Sequence, residues 1–87
     1  MRLTTIAGQH LEGKGRWKSA VALYVKALEA ENLHEQFYQR LMVCHAEIGN
    51  RADALAVYEC CRAQLAAALH VSPSPSTEAL YAALRPE

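Results

Sequence analysis

The sequence predicts an all-α protein built from paired helices, and three observations support that prediction. Apolar residues recur at helical spacing, most clearly at Ala54, Tyr58, Cys61, Leu65 and Leu69, which fall on one stripe of a helix. No segment shows the two-residue alternation that is typical of a half-buried strand. The two halves of the chain are also related by a regular period, which indicates repeated helical units.

We expect five helices, over residues 3–12, 17–31, 35–48, 51–69 and 75–84. The breaks between them contain the residues that end helices, such as Gly13, Gly15 and the pair Gly49–Asn50. Before the last helix the run HVSPSP should be extended, because each proline fixes its own φ and disfavours a helical residue before it. Ser74 is then a suitable N-cap, with Pro75 as the first helical residue.

Gly8 stands inside the first predicted helix. A glycine costs a helix about 1 kcal/mol relative to alanine. We therefore expect Gly8 to allow another helix to approach closely.

The composition limits the functions that the chain can have. Its 87 residues are enough for one domain. Nine basic residues balance nine acidic ones, so we expect no direct binding of nucleic acid, which normally requires a basic face. Neither a membrane span nor a signal peptide is predicted, and three cysteines do not suggest a disulfide framework. We expect a cytoplasmic protein.

An internal repeat is the most informative pattern in the sequence. The motif Ala20-x3-Tyr24 recurs as Ala54-x3-Tyr58, an offset of 34 residues. Two helices in a 34-residue unit resemble the tetratricopeptide repeat, with repeat one at about 1–34, repeat two at about 35–69 and a capping helix at about 75–84. The positions expected to be structural in this arrangement are Gly8, Ala20, Tyr24, Leu41, Ala54, Tyr58, Leu80 and Tyr81.

The second half carries a more specific resemblance. Its features are the runs RLM from Arg40, GNRADAL from Gly49, YECCR from Tyr58 and VSPSP from Val71, with Leu80–Tyr81 beyond. Together they resemble the bacterial transcriptional activator domain, a tetratricopeptide-like domain that follows DNA-binding domains in antibiotic-pathway regulators. The resemblance covers about residues 17–84. It implies protein contacts and oligomerisation, and it implies that the chain is one domain of a longer regulator.

We also considered sites for catalysis or metal binding. Adjacent side chains on a helix, such as Cys60 and Cys61, point about 100° apart and cannot easily chelate one ion. His45 takes the place of an aromatic repeat residue, so we expect a packing histidine with one ring nitrogen hydrogen-bonded. No set of nucleophile, base and orienting residue is present. The prediction is a non-enzymatic protein without metal or cofactor.

Two interaction surfaces are predicted. The first is a groove lined by the first helix of each pair, at Thr5, Gln9, Glu12, Gln39, Val43 and Ala46. None of these residues is basic, so we expect a neutral or apolar helix of another domain as the guest. The second is a self-association face at Leu3, Ile6 and Leu11, which cannot all face the second helix. Trp17 can be read as a residue packed on the adjacent repeat or as an anchor for a partner.

The sequence is compatible with three functions. The leading hypothesis is an interaction module of a bacterial transcription regulator, with other domains of the regulator or a second copy as partners. The alternative is a free-standing tetratricopeptide scaffold, unrelated to transcription, that binds a peptide or helix. A small enzyme is the third and has the least support.

Overall fold

The computed structural model describes residues 2–85, with side chains from residue 5 onward, and the regular elements in this part of the chain are all helices. Five helices follow one another: α1 (Arg2–Gly13), α2 (Trp17–Ala30), α3 (Glu35–Ile48), α4 (Arg51–Leu69) and α5 (Pro75–Leu84). The predicted all-α class is confirmed. The helix bounds differ from the predicted ones by one residue at the ends of α1 and at the end of α2.

The helices pack in chain order. α1 lies against α2, α2 against α3 and α3 against α4, while α5 lies against both α3 and α4. The first four helices are joined by turns of two to four residues, and such short connections make successive helices antiparallel neighbours. The molecule measures 35 × 32 × 18 Å. The smallest dimension corresponds to two layers of helices.

The turns follow local rules that the sequence makes visible. At the end of α3, Gly49 has φ 95°, and its N–H donates to the carbonyl of Ala46 at 3.1 Å while Asn50 N–H donates to that of His45 at 2.8 Å. This is the Schellman arrangement, for which glycine is favoured. Ser74 caps α5, accepting a hydrogen bond from the N–H of Thr77. The predicted cap and the first helical residue, Pro75, are confirmed.

Most of the buried apolar residues form two clusters. The first joins α2 to α3 and the second joins α3 to α4, while Leu28 and Val57 contact both of them. The first cluster contains Ala20, Tyr24, Phe37, Leu41 and Cys44, and the second contains Tyr38, Cys61 and Leu65.

The predicted stripe of α4 is correct at four of its five positions. Ala54, Tyr58, Cys61 and Leu65 are buried, whereas Leu69 is 52% exposed. Helical spacing determines on which side of α4 a residue lies. It does not determine whether another helix extends far enough to cover the last turn.

Gly8 lets α1 and α2 approach closely, as the sequence predicts. The glycine is buried, and a Cβ atom there would collide with the hydroxyl group of Tyr24 and lie 2.9 Å from its Cε1. The tyrosine, 1% exposed, fills the space that the missing side chain leaves and also contacts Phe37, with the ring centroids 5.9 Å apart. One glycine in α1 therefore makes room for a residue of α2 that reaches α3.

We predict that Gly8→Ala destabilises the protein, although alanine is the better helix former. The added methyl group must displace the Tyr24 ring, and overpacking of this kind costs about 1–3 kcal/mol. Gly13→Ala is the matched control, because a Cβ atom at Gly13 meets nothing within 4 Å. Urea denaturation of both variants is the measurement. Equal or greater stability of Gly8→Ala than of Gly13→Ala would contradict the close approach.

The last helix is attached through stacked aromatic rings. Tyr81 of α5 lies on Tyr58 of α4, with ring centroids 4.0 Å apart and planes inclined by 17°. The Tyr58 hydroxyl donates a hydrogen bond to Glu78 at 2.8 Å, and the Arg85 guanidinium lies 5.6 Å from the centroid of the Tyr81 ring. Leu80 and Tyr81 are half-buried, so α5 covers α4 without being enclosed by it.

Tyr81→Ala is expected to lower the free energy of unfolding by about 2 kcal/mol. A stacked pair contributes about 0.5–1.5 kcal/mol beyond the burial of the ring, and full truncation of a buried aromatic residue costs about 3–5 kcal/mol. A half-buried ring should fall below that range. Chemical denaturation measures the effect, with Val71→Ala at an exposed position as the control. If both variants unfold at the wild-type midpoint, the ring stack does not hold α5.

Candidate protein-interaction surface

A polar network joins the first three helices beneath the predicted groove. The Glu12 carboxylate of α1 accepts a hydrogen bond from the Tyr24 hydroxyl at 2.7 Å and one from Arg40 Nε at 3.2 Å. The Arg40 Nη2 atom also pairs with the second oxygen of Glu12. The Glu12 side chain is only 8% exposed. Glu12 was predicted to line an open groove, but its carboxylate is engaged inside the fold.

The pKa values of this network follow from its geometry. Burial raises the pKa of Glu12, but hydrogen bonds from Arg40 and Tyr24 outweigh burial and bring that pKa below its ordinary value. Burial and the neighbouring Glu12 carboxylate raise the pKa of Tyr24. The tyrosine therefore remains a hydrogen-bond donor and Glu12 remains a charged acceptor at neutral pH.

We predict that Glu12→Gln removes a pH-dependent part of the stability. Because the pKa of Glu12 is lowered in the folded state, its contribution is complete above the unfolded value of 4.5 and is lost as the pH falls through the folded value. At neutral pH the variant should be less stable by about 1–2 kcal/mol. That difference should shrink as the pH falls below 4.5.

Denaturant unfolding of both proteins between acidic and neutral pH is the measurement. Glu47→Gln, at an exposed position of α3, controls for the loss of one negative charge. A Glu12→Gln difference that stays constant over the acidic range would show that the ionised carboxylate is not what stabilises the contact.

A second polar cluster attaches α5 to α3. Glu35 accepts hydrogen bonds from the Ser74 N–H at 2.8 Å and from the Thr77 hydroxyl. Gln39 Nε2 donates to Thr77 Oγ1 at 2.8 Å, and Thr77 is fully buried. Burial raises the pKa of Glu35, but the hydrogen bonds from Thr77 and Ser74 lower it to a net value below normal. Gln39, another predicted groove residue, thus holds the last helix.

The six predicted groove residues do not form one open surface. Glu12 and Gln39 are engaged with other helices, as described above. Among the other four, Gln9 is exposed, while Thr5, Val43 and Ala46 are half-buried. Binding of a guest by these four residues stays a prediction.

The predicted self-association face is divided as well. Ile6 is 56% exposed, and the side chain of Leu3 lies outside the described residues. Leu11 is half-buried and packs against the first core cluster, because it lies on the side of α1 that faces α2. The open apolar part of α1 that the structure describes is therefore centred on Ile6.

The structure also shows an apolar cleft that the sequence alone did not reveal. It lies between α2 and α4, over α3, and has a volume of about 250 Å³. Its apolar lining comes from Val25, Leu28, Tyr38, Leu41, Val57 and Cys60. One signal was available in the sequence, because Val25 directly follows the repeat residue Tyr24 and therefore points about 100° away from it around α2. Val25 is 44% exposed.

The three cysteines differ in their exposure to solvent. Cys44 and Cys61 are buried, and burial raises the pKa of Cys44 to about 11 and that of Cys61 to about 12. Both thiols are protonated at neutral pH and are poor nucleophiles. Cys60 is exposed. Across the described residues no group of three or more His, Cys, Asp or Glu side chains could hold a metal ion.

Trp17 and His45 are both partly buried. Trp17 is half-buried and packs against the first core cluster, while its open side lines a shallow pocket with Ile48. Trp17 therefore packs on the core as the first interpretation expects, and its role as an anchor for a partner stays a prediction. For His45, the prediction of a hydrogen-bonded ring nitrogen is not met at Nδ1, which is buried and has no hydrogen-bond partner among the described residues.

Comparison with known proteins gives one match. The family model of the bacterial transcriptional activator domain matches residues 1–85. No curated protein and no solved structure matches the chain. No helix in residues 2–85 is both long enough and apolar enough to cross a membrane.

Proposed function

Because the chain belongs to the bacterial transcriptional activator domain family, we propose that it is a non-catalytic protein-interaction module of a bacterial transcription regulator. The family match favours this function over a scaffold unrelated to transcription. The formal charge of the chain is zero, which supports contact with DNA through a separate domain of the regulator. The domain then acts on transcription through the proteins that it contacts.

The proposed architecture is a short stack of tetratricopeptide-like helix pairs. The 34-residue period relates Ala20 to Ala54 and Tyr24 to Tyr58. Both alanines are fully buried, and the two tyrosine side chains are 1% and 5% exposed. α1 packs against α2 and α3 against α4, as two such units require, and α2 also packs against α3, as adjacent units of a stack do. α5 would then be the cap of the second unit.

We propose that the face of α1 around Ile6 contacts another domain of the regulator. The observation that carries this step is the 56% exposure of Ile6, the highest among the exposed large hydrophobic residues of the described chain. α1 packs on one side against α2, so its opposite side is available to a partner. Exposed apolar surface marks a contact site when it belongs to a larger patch, and the proposal is that Ile6 forms part of such a patch on α1.

We expect Ile6→Glu to reduce transcriptional activation by the intact regulator, because a carboxylate at the centre of an apolar contact must lose its hydration. Its affinity for DNA should be unchanged. Leu69→Glu is the matched control, because Leu69 lies on another helix and is 52% exposed, close to the 56% of Ile6. A reporter gene and a DNA-binding titration with the same variants are the measurements.

Three results would contradict the proposal. Leu69→Glu could reduce activation as much as Ile6→Glu does, which would show that the effect is not specific to the face of α1. Activation could be unaffected by Ile6→Glu, which would show that this face makes no contact needed for function. Finally, the isolated domain could bind DNA tightly and with sequence selectivity, which would make it a DNA-binding domain in its own right.

A further inference from the structure

The exposed side of α2 carries a stripe that is complementary to itself. Lys18, Ala22, Val25 and Glu29 follow at steps of four, three and four residues, so they lie on one side of the helix. All four are exposed. The stripe is basic at its start, apolar in the middle and acidic at its end.

The order of these residues is symmetrical about the middle of the stripe, between Leu23 and Tyr24. If a second α2 helix lies antiparallel against the first, Lys18 falls opposite Glu29 of the other copy. The pairing of Ala22 with Val25 repeats on both sides of the twofold axis, and the small side chain of Ala22 favours a short distance between the two helices.

The charges of α2 also favour an antiparallel pairing with a second copy of this helix. The first turn of α2 contains no acidic residue and the last turn contains no basic residue; instead Lys18 lies near its start and Glu29 near its end. Both charges are unfavourable to the dipole of their own helix. An antiparallel second copy brings Glu29 close to the positive end of α2 and Lys18 close to the negative end. The unfavourable placement in one chain thus becomes favourable in a pair.

We propose that two copies of this domain associate through α2, with their α2 helices antiparallel about a twofold axis. The proposal deepens the interaction role above, on which it rests, by naming a second copy as one partner. It assigns self-association to α2 and leaves the Ile6 face of α1 for another domain. Val25 and Glu29 also line the apolar cleft between α2 and α4, so the proposed contact borders that cleft. A contact of this limited size should give a reversible dimer that depends on concentration.

Sedimentation velocity of the full chain at increasing concentration tests the proposal. The wild type should pass from monomer to dimer in the micromolar range. Val25→Glu should abolish the dimer, because it places a carboxylate in the apolar centre of the contact. Glu31→Lys is the matched control: Glu31 is exposed but comes two residues after Glu29 and therefore lies on the other side of the helix, so its reversal should leave the dimer intact.

A charge exchange tests the antiparallel register. Lys18→Glu and Glu29→Lys, each alone, should weaken the dimer at least about tenfold, because an attraction becomes a repulsion at two symmetry-related positions. Each change is favourable to the dipole of the isolated helix, so loss of folding would not be the cause. The double variant Lys18→Glu/Glu29→Lys should dimerise again, and so should an equimolar mixture of the two single variants.

Circular dichroism confirms that each variant is folded before it is used. The proposal is overturned by a wild type that stays monomeric at high micromolar concentration, by a Val25→Glu variant that still dimerises, or by a charge exchange that does not restore association. Loss of the dimer in Ile6→Glu would also overturn it, by placing the contact on α1. These outcomes are separate from the transcription readout, which tests the Ile6 face without reference to the dimer.

Discussion

The hydroxyl group of Tyr24 is the point at which the first three helices are joined. It fits into the space left by Gly8 of α1 and donates to Glu12 of the same helix, while the tyrosine ring contacts Phe37 of α3. Glu12 in turn binds Arg40 of α3. A buried carboxylate is tolerated only when it is paired and hydrogen-bonded, so the packing of α1 depends on the tyrosine and the arginine together.

The two tyrosines related by the repeat period serve opposite ends of the molecule. Tyr24 directs its hydroxyl to Glu12 in the preceding helix, whereas Tyr58 directs its hydroxyl to Glu78 in the following one. Burial, together with the carboxylate that it binds, raises the pKa of Tyr58 to about 12. Both tyrosines are therefore buried and donate to a carboxylate, but Tyr24 holds α1 whereas Tyr58 holds α5.

The sequence predicted the helices, the caps and the role of Gly8, because these depend on neighbouring residues and on helical spacing. The contacts between Arg40 and Glu12, and between Thr77 and Glu35, join residues far apart in the chain. They depend on how one helix is rotated against another, which periodicity does not specify. For the same reason Glu12 and Gln39 were assigned to an open groove, and the cleft between α2 and α4 was not foreseen.

The attachment of α5 has a consequence for the dynamics of the domain. This helix lies against α3 and α4, and it is held by the cluster around Thr77 and by the ring of Tyr81. Its release would expose parts of α3 and α4 but would leave the contacts among α1, α2 and α3 in place. We therefore expect α5 to unfold locally, with amide hydrogens that exchange with solvent at a lower free energy than those of the helices that enclose Tyr24.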